Sequence, residues 1–303
     1  MLIILLFIIG LAVGVLLNLL ADELPFRRGI AIPTYYDGTP RPFSAWSGIT
    51  LFLTGQRLPL QAQPDKSRQR LYFPEMEAQQ PDLWERALAE YQARPLPLTW
   101  RYPLVELLSG LAFAWVGLAA PQIDNMDAAQ LIVHLLYVAL LILNLTTDVE
   151  HRLILRIVTY PSIVLAFADS LLLPHVRPNF NDALSGAALG FGIFSVLYLG
   201  GFIFVYVMGA LRNQRIQEVA FGWGDVMLIT FSGAVLGFAH TIIALFITVF
   251  LGALGAFVTI LASAVRGKRY SAFTAIPYGP YIIIATFAML LYGDPIRIAM
   301  IGY

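Results

Sequence analysis

The chain has 303 residues, of which 58% are hydrophobic and 13% charged, and its mean hydropathy is +0.73. Soluble globular proteins carry about 25% charged residues, so this chain has too little polar side chain to cover the surface of a soluble fold of its length. The composition excludes a soluble enzyme, a disordered protein and a nucleic-acid binder, and it predicts a protein embedded in the lipid bilayer. Lys plus Arg and Asp plus Glu both number 19, so the net charge does not indicate a partner.

Apolar stretches along the chain predict an all-α integral membrane protein with about eight transmembrane helices. A helix needs about 20 apolar residues to cross the hydrocarbon core, and the backbone must satisfy its own hydrogen bonds there. The uncharged run 226–265 is too long for one crossing, so we predict two spans with a break near residues 237–240. The other candidate spans are residues 1–20, 104–120, 129–147, 157–173, 183–211 and 278–292.

The distribution of positive charge predicts the orientation in the membrane. All of the 19 Lys and Arg residues except Arg177 and Arg297 lie before residue 104 or shortly after residues 147, 211 and 265. Loops rich in Lys and Arg stay in the cytoplasm. We therefore expect these segments on the cytoplasmic face of the inner membrane and both termini on the other side.

The polar segment after the first span predicts the domain organisation. We expect residues 1–24 to form a retained first transmembrane helix, residues 25–103 a small cytoplasmic insert, and residues 104–303 a membrane core of about seven helices. The insert holds most of the 18 prolines, which disfavours long regular elements. Within it we predict a turn at Asp37-Gly38, a strand at 49–53 and a helix after Pro81.

The chain contains no cysteine, which excludes disulfides, cysteine-ligated zinc, iron–sulfur clusters and thiol nucleophiles. Its histidines are far apart in the sequence, and we expect His134 and His240 to be packed and hydrogen-bonded and not to act as ligands. Carboxylates also bind metals, but no residue pattern indicates such a site. We predict neither a metal nor a cofactor. The four histidines are His134, His151, His175 and His240.

Two aspartates lie at span ends on the same predicted face. Asp148 closes the third span and Asp225 opens the sixth, and the two crossings between them return the chain to the cytoplasmic side. Ionisable residues in a membrane span are costly and indicate function. A pair of facing carboxyl groups can hold one proton between them, so one member could activate a water while the other hydrogen-bonds the developing oxyanion. Gly222 and Gly224 would allow unusual backbone angles and the close approach of a substrate strand.

Structural roles also explain each acidic residue. Asp225 precedes an apolar run and is a plausible helix N-cap, and Asp148 lies among charged residues that mark the water boundary. We interpret Asp22, Glu23 and Glu106 as interfacial or packing residues. The remaining acids considered fall on or near the outer side, away from the pair: Asp124, Asp127, Asp169 and Asp182.

Five separated stretches resemble the prepilin peptidases, the bacterial type IV leader peptidases of the GxGD aspartic protease family. The GxGD motif itself is Gly222-Trp223-Gly224-Asp225, within FGWGDVMLITFSGAVLG. The other stretches, in order and suitably spaced, are GLAVGVLLNLLADELP (10–25), RYPLVELLSGLAF (101–113), TTDVEHRLILRIVTYP (146–161) and IPYGPY (276–281).

The resemblance implies a membrane aspartic endopeptidase that removes the leader of prepilin- or pseudopilin-like proteins at the cytoplasmic boundary, commonly after a glycine. By position, Asp148 and Asp225 would be its catalytic pair, supported by Gly222 and Gly224. The partners implied are membrane-anchored pilin-like substrates and the lipid bilayer.

The chain also departs from the family pattern. Many members carry a four-cysteine zinc region in the first loop, which this chain lacks. Many also methylate the new N-terminus with S-adenosylmethionine, and the altered loop leaves that activity unpredicted. Leu155 stands where the family usually has proline, and Met227 replaces an expected lysine. Because both acids remain, we favour an active, divergent enzyme.

Two alternatives stay open. A non-catalytic polytopic protein, either a transporter or a pilus or secretion assembly scaffold, would place Asp148 and Asp225 well apart. Transporters often bind their substrate near the membrane midplane, whereas these acids lie at span ends, which favours the enzyme. The second alternative is a protease of the same chemistry that acts on other membrane-anchored substrates.

Overall fold

The structure is a computed structural model that describes residues 1–26, 43, 46–53, 100–123, 126–173, 178–212, 222–265 and 278–301. The regular elements in these residues are all helical, which confirms the predicted all-α fold class. Six of the helices are long and apolar enough to cross a membrane. The chain is therefore a multi-pass membrane protein.

The described residues form eight α-helices and two short 3₁₀ turns. The turns, Leu24–Phe26 and Ala120–Gln122, follow α1 and α3. The helices in chain order are α1 (Leu2–Glu23), α2 (Gly48–Leu53), α3 (Arg101–Ala119), α4 (Ala128–His151), α5 (Arg156–Leu172), α6 (Phe180–Arg212), α7 (Trp223–Val265) and α8 (Gly279–Ile301).

Helix α7 is interrupted at Gly237, where the backbone angles are φ 75° and ψ 177°. This confirms the predicted break near residues 237–240. The break leaves backbone N–H groups without helical partners, and the Asp182 carboxylate accepts one of them, from Phe238, at 2.9 Å. A side chain at residue 237 would collide with Asp182 and Pro178, so glycine is required for both the angle and the contact.

The count of eight crossings remains a prediction. The six candidate spans lie in α1, α3, α4, α6, α7 and α8. Helix α5, which has 17 residues, is not among them. The candidate span within α7 covers 39 residues, Trp223–Leu261, on both sides of the break at Gly237.

The chain divides into two compact units, residues 1–114 and 115–303. In the first unit, α1 and α3 approach each other closely at Gly10 and Gly14. A Cβ atom at Gly14 would lie 2.5 Å from the Cα of Glu106, and one at Gly10 would lie 2.5 Å from the carbonyl oxygen of Ser109. The Gly-x-x-x-Gly spacing thus lets two backbones meet, as small residues commonly do between membrane helices.

Glu106 organises the first unit. Its side chain is 1% exposed and accepts hydrogen bonds from Ser47 Oγ at 2.7 Å and from the backbone N–H groups of Gly48 and Ile49. These N–H groups begin α2 and would otherwise lack partners. The predicted strand at 49–53 is therefore wrong, because the buried carboxylate caps a helix and overrides the β-branched character of the local sequence.

Two acids of the first unit, Asp22 and Glu106, have the packing roles that we predicted. Asp22 forms an ion pair with Arg101 and accepts a hydrogen bond from the Tyr102 hydroxyl at 2.8 Å. The side chain of Glu23, the turn at Asp37-Gly38 and the helix after Pro81 lie outside the described residues.

We expect Glu106→Ala to release α2, because four hydrogen-bond donors would lose this acceptor: Ser47 Oγ, the N–H groups of Gly48 and Ile49, and the Asn18 side-chain amide. Each unsatisfied donor costs about 1–3 kcal/mol, so the amides of Gly48 and Ile49 should exchange at least about tenfold faster with solvent deuterium. Glu106→Gln keeps one acceptor oxygen and should show a smaller increase. Unchanged exchange in both variants, measured by mass spectrometry on peptides covering residues 46–53, would contradict this role for Glu106.

In the second unit, the first half of α7 lies at the centre of the core. Helix α7 packs against α5, α6 and α8, and its apolar residues that are at most 1% exposed include Val226, Leu228, Ile229 and Phe231. Buried residues of α4, α6 and α8 belong to the same cluster. This packing fixes the start of α7 relative to the end of α4 and the start of α8.

Candidate active site

Asp148 lies in the last turn of α4. The helix ends at His151 because Arg152 adopts a left-handed conformation, with φ 52°, and its N–H bonds back to the Asp148 carbonyl oxygen at 2.8 Å. The Asp148 side chain is 5% exposed. Its Oδ2 atom is buried and has no hydrogen-bond partner among the described residues. Asp148 is therefore a buried residue and not an exposed one at the water boundary.

Asp225 lies in the first turn of α7 and is partly buried. Its Oδ2 atom accepts a hydrogen bond from the backbone N–H of Gly222, three residues earlier, at 3.0 Å. Asp225 is thus not the N-cap. It is the third helical residue and reaches back to the residue that precedes the helix, as the acidic member of a capping box does. The structural and functional interpretations of Asp225 are compatible, because the bond orients the carboxylate.

The second unit places Asp225 near Asp148, although they come from different helices. Gly224, which precedes Asp225, packs against Ile154, six residues after Asp148, and the two carboxyl groups lie within the range over which their charges interact. The polar protein groups near them include the Gly222 N–H. Such a pair can bind a water molecule between its oxygens and exchange protons with it.

The two glycines of the GxGD motif differ in their surroundings. A Cβ atom at Gly224 would lie 2.7 Å from the Cβ of Ile154, whereas one at Gly222 would meet nothing closer than 3.6 Å. Neither Gly222 nor Gly224 has a positive φ, so the unusual backbone angles that we predicted are not observed. Gly224 instead allows α7 to begin against the segment that follows Asp148, which brings the two aspartates close.

Trp223 fixes the first turn of α7 to its neighbours. Its indole N–H donates to the Tyr160 hydroxyl on α5 at 3.3 Å, and its ring contacts those of Phe191 and Tyr198 on α6 in edge-on geometry. The sequence analysis did not assign Trp223 a role. Its position inside the GxGD motif is the signal that could have indicated one.

Gly279, the first residue of α8, forms one wall around Asp148. A side chain at residue 279 would collide with the Asp148 carboxyl group. The sequence analysis quoted this glycine within IPYGPY but assigned it no role. Nothing in the local pattern connects residue 279 to residue 148, and the contact follows from the packing of α8 in the core.

The two departures from the family pattern lie close to the pair. Leu155 precedes α5 and is 5% exposed, and its carbonyl oxygen accepts from the Thr159 N–H at 2.9 Å. Met227 lies on the first turns of α7 and is partly buried. Hydrophobic side chains thus occupy both positions without interrupting either helix.

The other polar residues considered in the sequence have separate positions. The Nδ1 atoms of His134 and His240 lie 2.9 and 3.3 Å from the backbone carbonyl oxygens of Gln130 and Leu236, as expected for packed histidines. Asp127 is the N-cap of α4. Asp124 and His175 lie outside the described residues.

In the part of the chain that the structure describes, no three His, Asp or Glu side chains come together as a metal site would require. The four-cysteine zinc region of many prepilin peptidases has no ligands here, because the chain has no cysteine.

Residues 135–257 match the model of the type IV leader peptidase family. The matched region includes both Asp148 and Asp225, together with the GxGD motif. No solved structure matches the chain.

Several curated relatives carry the name prepilin leader peptidase/N-methyltransferase. The protein from Myxococcus xanthus is 26% identical over 272 residues, covering 87% of this chain and 65% of the relative. The protein from Aeromonas hydrophila is 30% identical over 201 residues, covering 66% of this chain and 61% of the relative. The protein from Stutzerimonas stutzeri is 25% identical over 303 residues, covering 98% of this chain and 92% of the relative. The chain thus spans slightly less than two thirds of the length of the first two relatives.

Proposed function

We propose that the chain is a membrane aspartic endopeptidase that removes the leader peptide of prepilin- or pseudopilin-like proteins, because residues 135–257 match the model of the type IV leader peptidase family. The observation that carries the proposal is the proximity of Asp148 and Asp225, whose charges interact although one ends α4 and the other begins α7. A transporter or scaffold gives no reason for a buried acid, Asp148, and a partly buried acid, Asp225, to lie near each other at helix ends.

In the proposed reaction, the carboxyl pair holds one proton and a water molecule between its oxygens. The ionised aspartate takes a proton from the water as the water oxygen attacks the scissile carbonyl carbon. The protonated aspartate hydrogen-bonds the carbonyl oxygen as it becomes an oxyanion. The tetrahedral intermediate then collapses, the C–N bond breaks, and a proton from the pair passes to the leaving amine. One water is consumed, and the pair returns to its starting protonation.

The fixed orientations of the two aspartates support their different roles. Oδ2 of Asp225 already accepts a hydrogen bond from the Gly222 N–H, so this oxygen is less available to carry the shared proton. Oδ2 of Asp148 has no partner among the described residues and is available to carry the shared proton. We therefore assign Asp225 as the group that first accepts the proton from water and Asp148 as the first donor to the carbonyl oxygen.

We place the active site on the cytoplasmic face of the inner membrane. The segments that follow α4 and precede α7 carry Arg152, Arg156, Arg212 and Arg215, and positive charge near span ends favours the cytoplasm. A pilin-like substrate would keep its hydrophobic helix in the bilayer and present its basic leader at the same depth as the aspartates.

The test is processing in cells. The chain would be co-produced with a set of pilin-like precursors in a bacterium that lacks its own leader peptidases, and the N-terminus of each product would be read by mass spectrometry. We expect leader removal directly after the glycine that precedes the hydrophobic helix. A matched precursor with that glycine replaced by a bulky residue should stay uncut.

Two other results would overturn the proposal in different ways. If every pilin-like precursor stays intact while unrelated membrane-anchored proteins are cut, the chemistry stands and the substrate class is wrong. If nothing is cut although the chain inserts correctly, the non-catalytic scaffold is favoured. The relatives' names also include an N-methyltransferase activity, which our proposal does not extend to this chain.

A further inference from the structure

The second half of α7, residues 238–265, runs back along α8. His240 lies beside Gly293, where a Cβ atom would meet its imidazole ring at 3.2 Å, and further along the helix Gly255 lies beside Tyr281. The two helices are therefore antiparallel, because the later residue of α7 faces the earlier residue of α8. A helix rises 1.5 Å per residue, so these two contacts are about 20 Å apart along each helix. The second half of α7 thus reaches the residues that begin α8.

Two tyrosines at the start of α8 pack against two glycines of α7. We call Tyr278 and Tyr281 the tyrosine pair, and Gly252 and Gly255 the glycine notch. The two glycines are three residues apart and so lie on one face of α7. A Cβ atom at Gly252 would lie 3.1 Å from the Tyr278 hydroxyl oxygen, and one at Gly255 would overlap the Tyr281 hydroxyl group. The two rings contact each other edge-on, with centroids 6.0 Å apart, and both tyrosines are partly buried.

The tyrosine pair flanks Gly279, the wall beside Asp148. The Tyr278 carbonyl oxygen accepts hydrogen bonds from the backbone N–H groups of Tyr281 and Ile282 at 3.1 and 3.2 Å, so both tyrosines belong to one hydrogen-bonded turn that contains Gly279. Because a Cβ atom at Gly279 would collide with the Asp148 carboxyl group, the backbone of this turn lies directly against that carboxyl group. A shift of the turn would therefore change the space in which Asp148 is held.

We propose that the tyrosine pair, held in the glycine notch, positions Asp148 for the peptidase reaction. The inference rests on the proposed function, because it concerns the same aspartate. Small residues between membrane helices commonly serve packing alone. Here the side chains that fill the notch come from the turn that touches Asp148, so the packing also determines the geometry of the site. The tyrosines act through the backbone of Gly279 and are positioning residues.

The break in α7 at Gly237 makes this arrangement possible. The part of α7 before the break carries Asp225 in its first turn, and the part after the break carries the glycine notch. The two halves of α7 therefore each hold one member of the aspartate pair. The first half carries Asp225 itself, and the second half acts on Asp148 through the first turn of α8.

The main test is Gly255→Ala, whose methyl group would push the Tyr281 ring out of the notch. Since a catalytic group displaced by 1 Å can lose about a hundredfold in rate, we expect the single-turnover rate at saturating substrate to fall at least about tenfold. The half-saturating substrate concentration should change by less than about twofold, because the variant alters the reacting group and not substrate binding. Gly200→Ala on α6 is the matched control. A Cβ atom there would meet nothing within 4 Å, so its rate should equal that of the wild type.

A compensating substitution separates positioning from a general loss of packing. Leucine is shorter than tyrosine, so Tyr281→Leu would leave room for the new methyl group. The rate loss in Gly255→Ala/Tyr281→Leu should therefore be smaller than the product of the losses in the two single variants. Single-variant losses that simply multiply would refute the proposal. Gly252→Ala creates a milder overlap and should lower the rate by a smaller factor, and it decides the outcome if Gly255→Ala does not fold.

Hydrogen exchange gives a result that does not depend on catalysis. Peptides covering residues 278–285 would be followed by mass spectrometry with the full chain in nanodiscs. The first turn of α8 should exchange at least about threefold faster in Gly255→Ala than in the wild type, and Gly200→Ala should not change it. If exchange rises but the wild type cuts no precursor, the positioning role falls with the proposed function. If the wild type cuts and Gly255→Ala cuts equally fast, the proposed function stands and the positioning role is refuted.

Discussion

Asp148→Asn and Asp225→Asn are each expected to reduce leader cleavage at least about a thousandfold, because each removes one member of the proton-transferring pair. Asparagine has nearly the same shape as aspartate, but it can neither take a proton from water nor return one to the leaving amine. The measurement is single-turnover cleavage of a purified prepilin-like substrate by the chain in detergent or nanodiscs.

The matched control is Asp127→Asn, at the other end of α4. Asp127 caps that helix through a hydrogen bond to the Gln130 N–H at 2.7 Å, and asparagine is about as good an N-cap. The control makes the same chemical change on the same helix, so it should keep nearly full activity. Cleavage that survives in either Asp148→Asn or Asp225→Asn, with the protein correctly inserted, would remove the basis of the proposed mechanism.

Gly279→Ala is expected to have the second largest effect. Its new methyl group would occupy the space of the Asp148 carboxyl group, and buried Asp148 has little room to move away. Overpacking of this kind costs about 1–3 kcal/mol of folding free energy. A catalytic group displaced by 1 Å can lose about a hundredfold in rate, so cleavage should fall by about that factor while the protein remains folded.

Gly192→Ala supplies the comparison for this variant. Gly192 lies on α6, and a Cβ atom there would meet nothing within 4 Å, so the same substitution should leave cleavage unchanged. The two rates would be measured together with the melting temperatures. Equal rates for Gly279→Ala and the wild type would show that α8 does not position Asp148.

The break in α7 could be predicted from the sequence, and the form of α2 could not. The run 226–265 has no charge and exceeds one bilayer crossing, which requires an interruption, and Gly237 is a residue that adopts a positive φ without strain. For α2, the local pattern of Ile49 and Thr50 favours a strand. The buried carboxylate of Glu106 decides otherwise, and that contact joins residues far apart in the chain.

The candidate site, too, could be predicted only in part from the sequence. With two crossings predicted between Asp148 and Asp225, span parity was enough to predict that they lie on one face. The hydrogen bond from Gly222 to Asp225 and the wall formed by Gly279 depend on how helices begin and pack. The close contact of Gly224 with Ile154 also required three-dimensional coordinates, since it depends on the path of the segment between α4 and α5.

The two aspartates acquire their surroundings at different times during synthesis. The bond from Gly222 to Asp225 joins residues three apart, so it can form as soon as the first turn of α7 does. Asp148 emerges from the ribosome earlier, but its neighbour Gly279 belongs to α8, which is translated after α7. A nascent chain that has not yet released α8 lacks one wall of the site, so the pocket around Asp148 is completed only once α8 has been inserted.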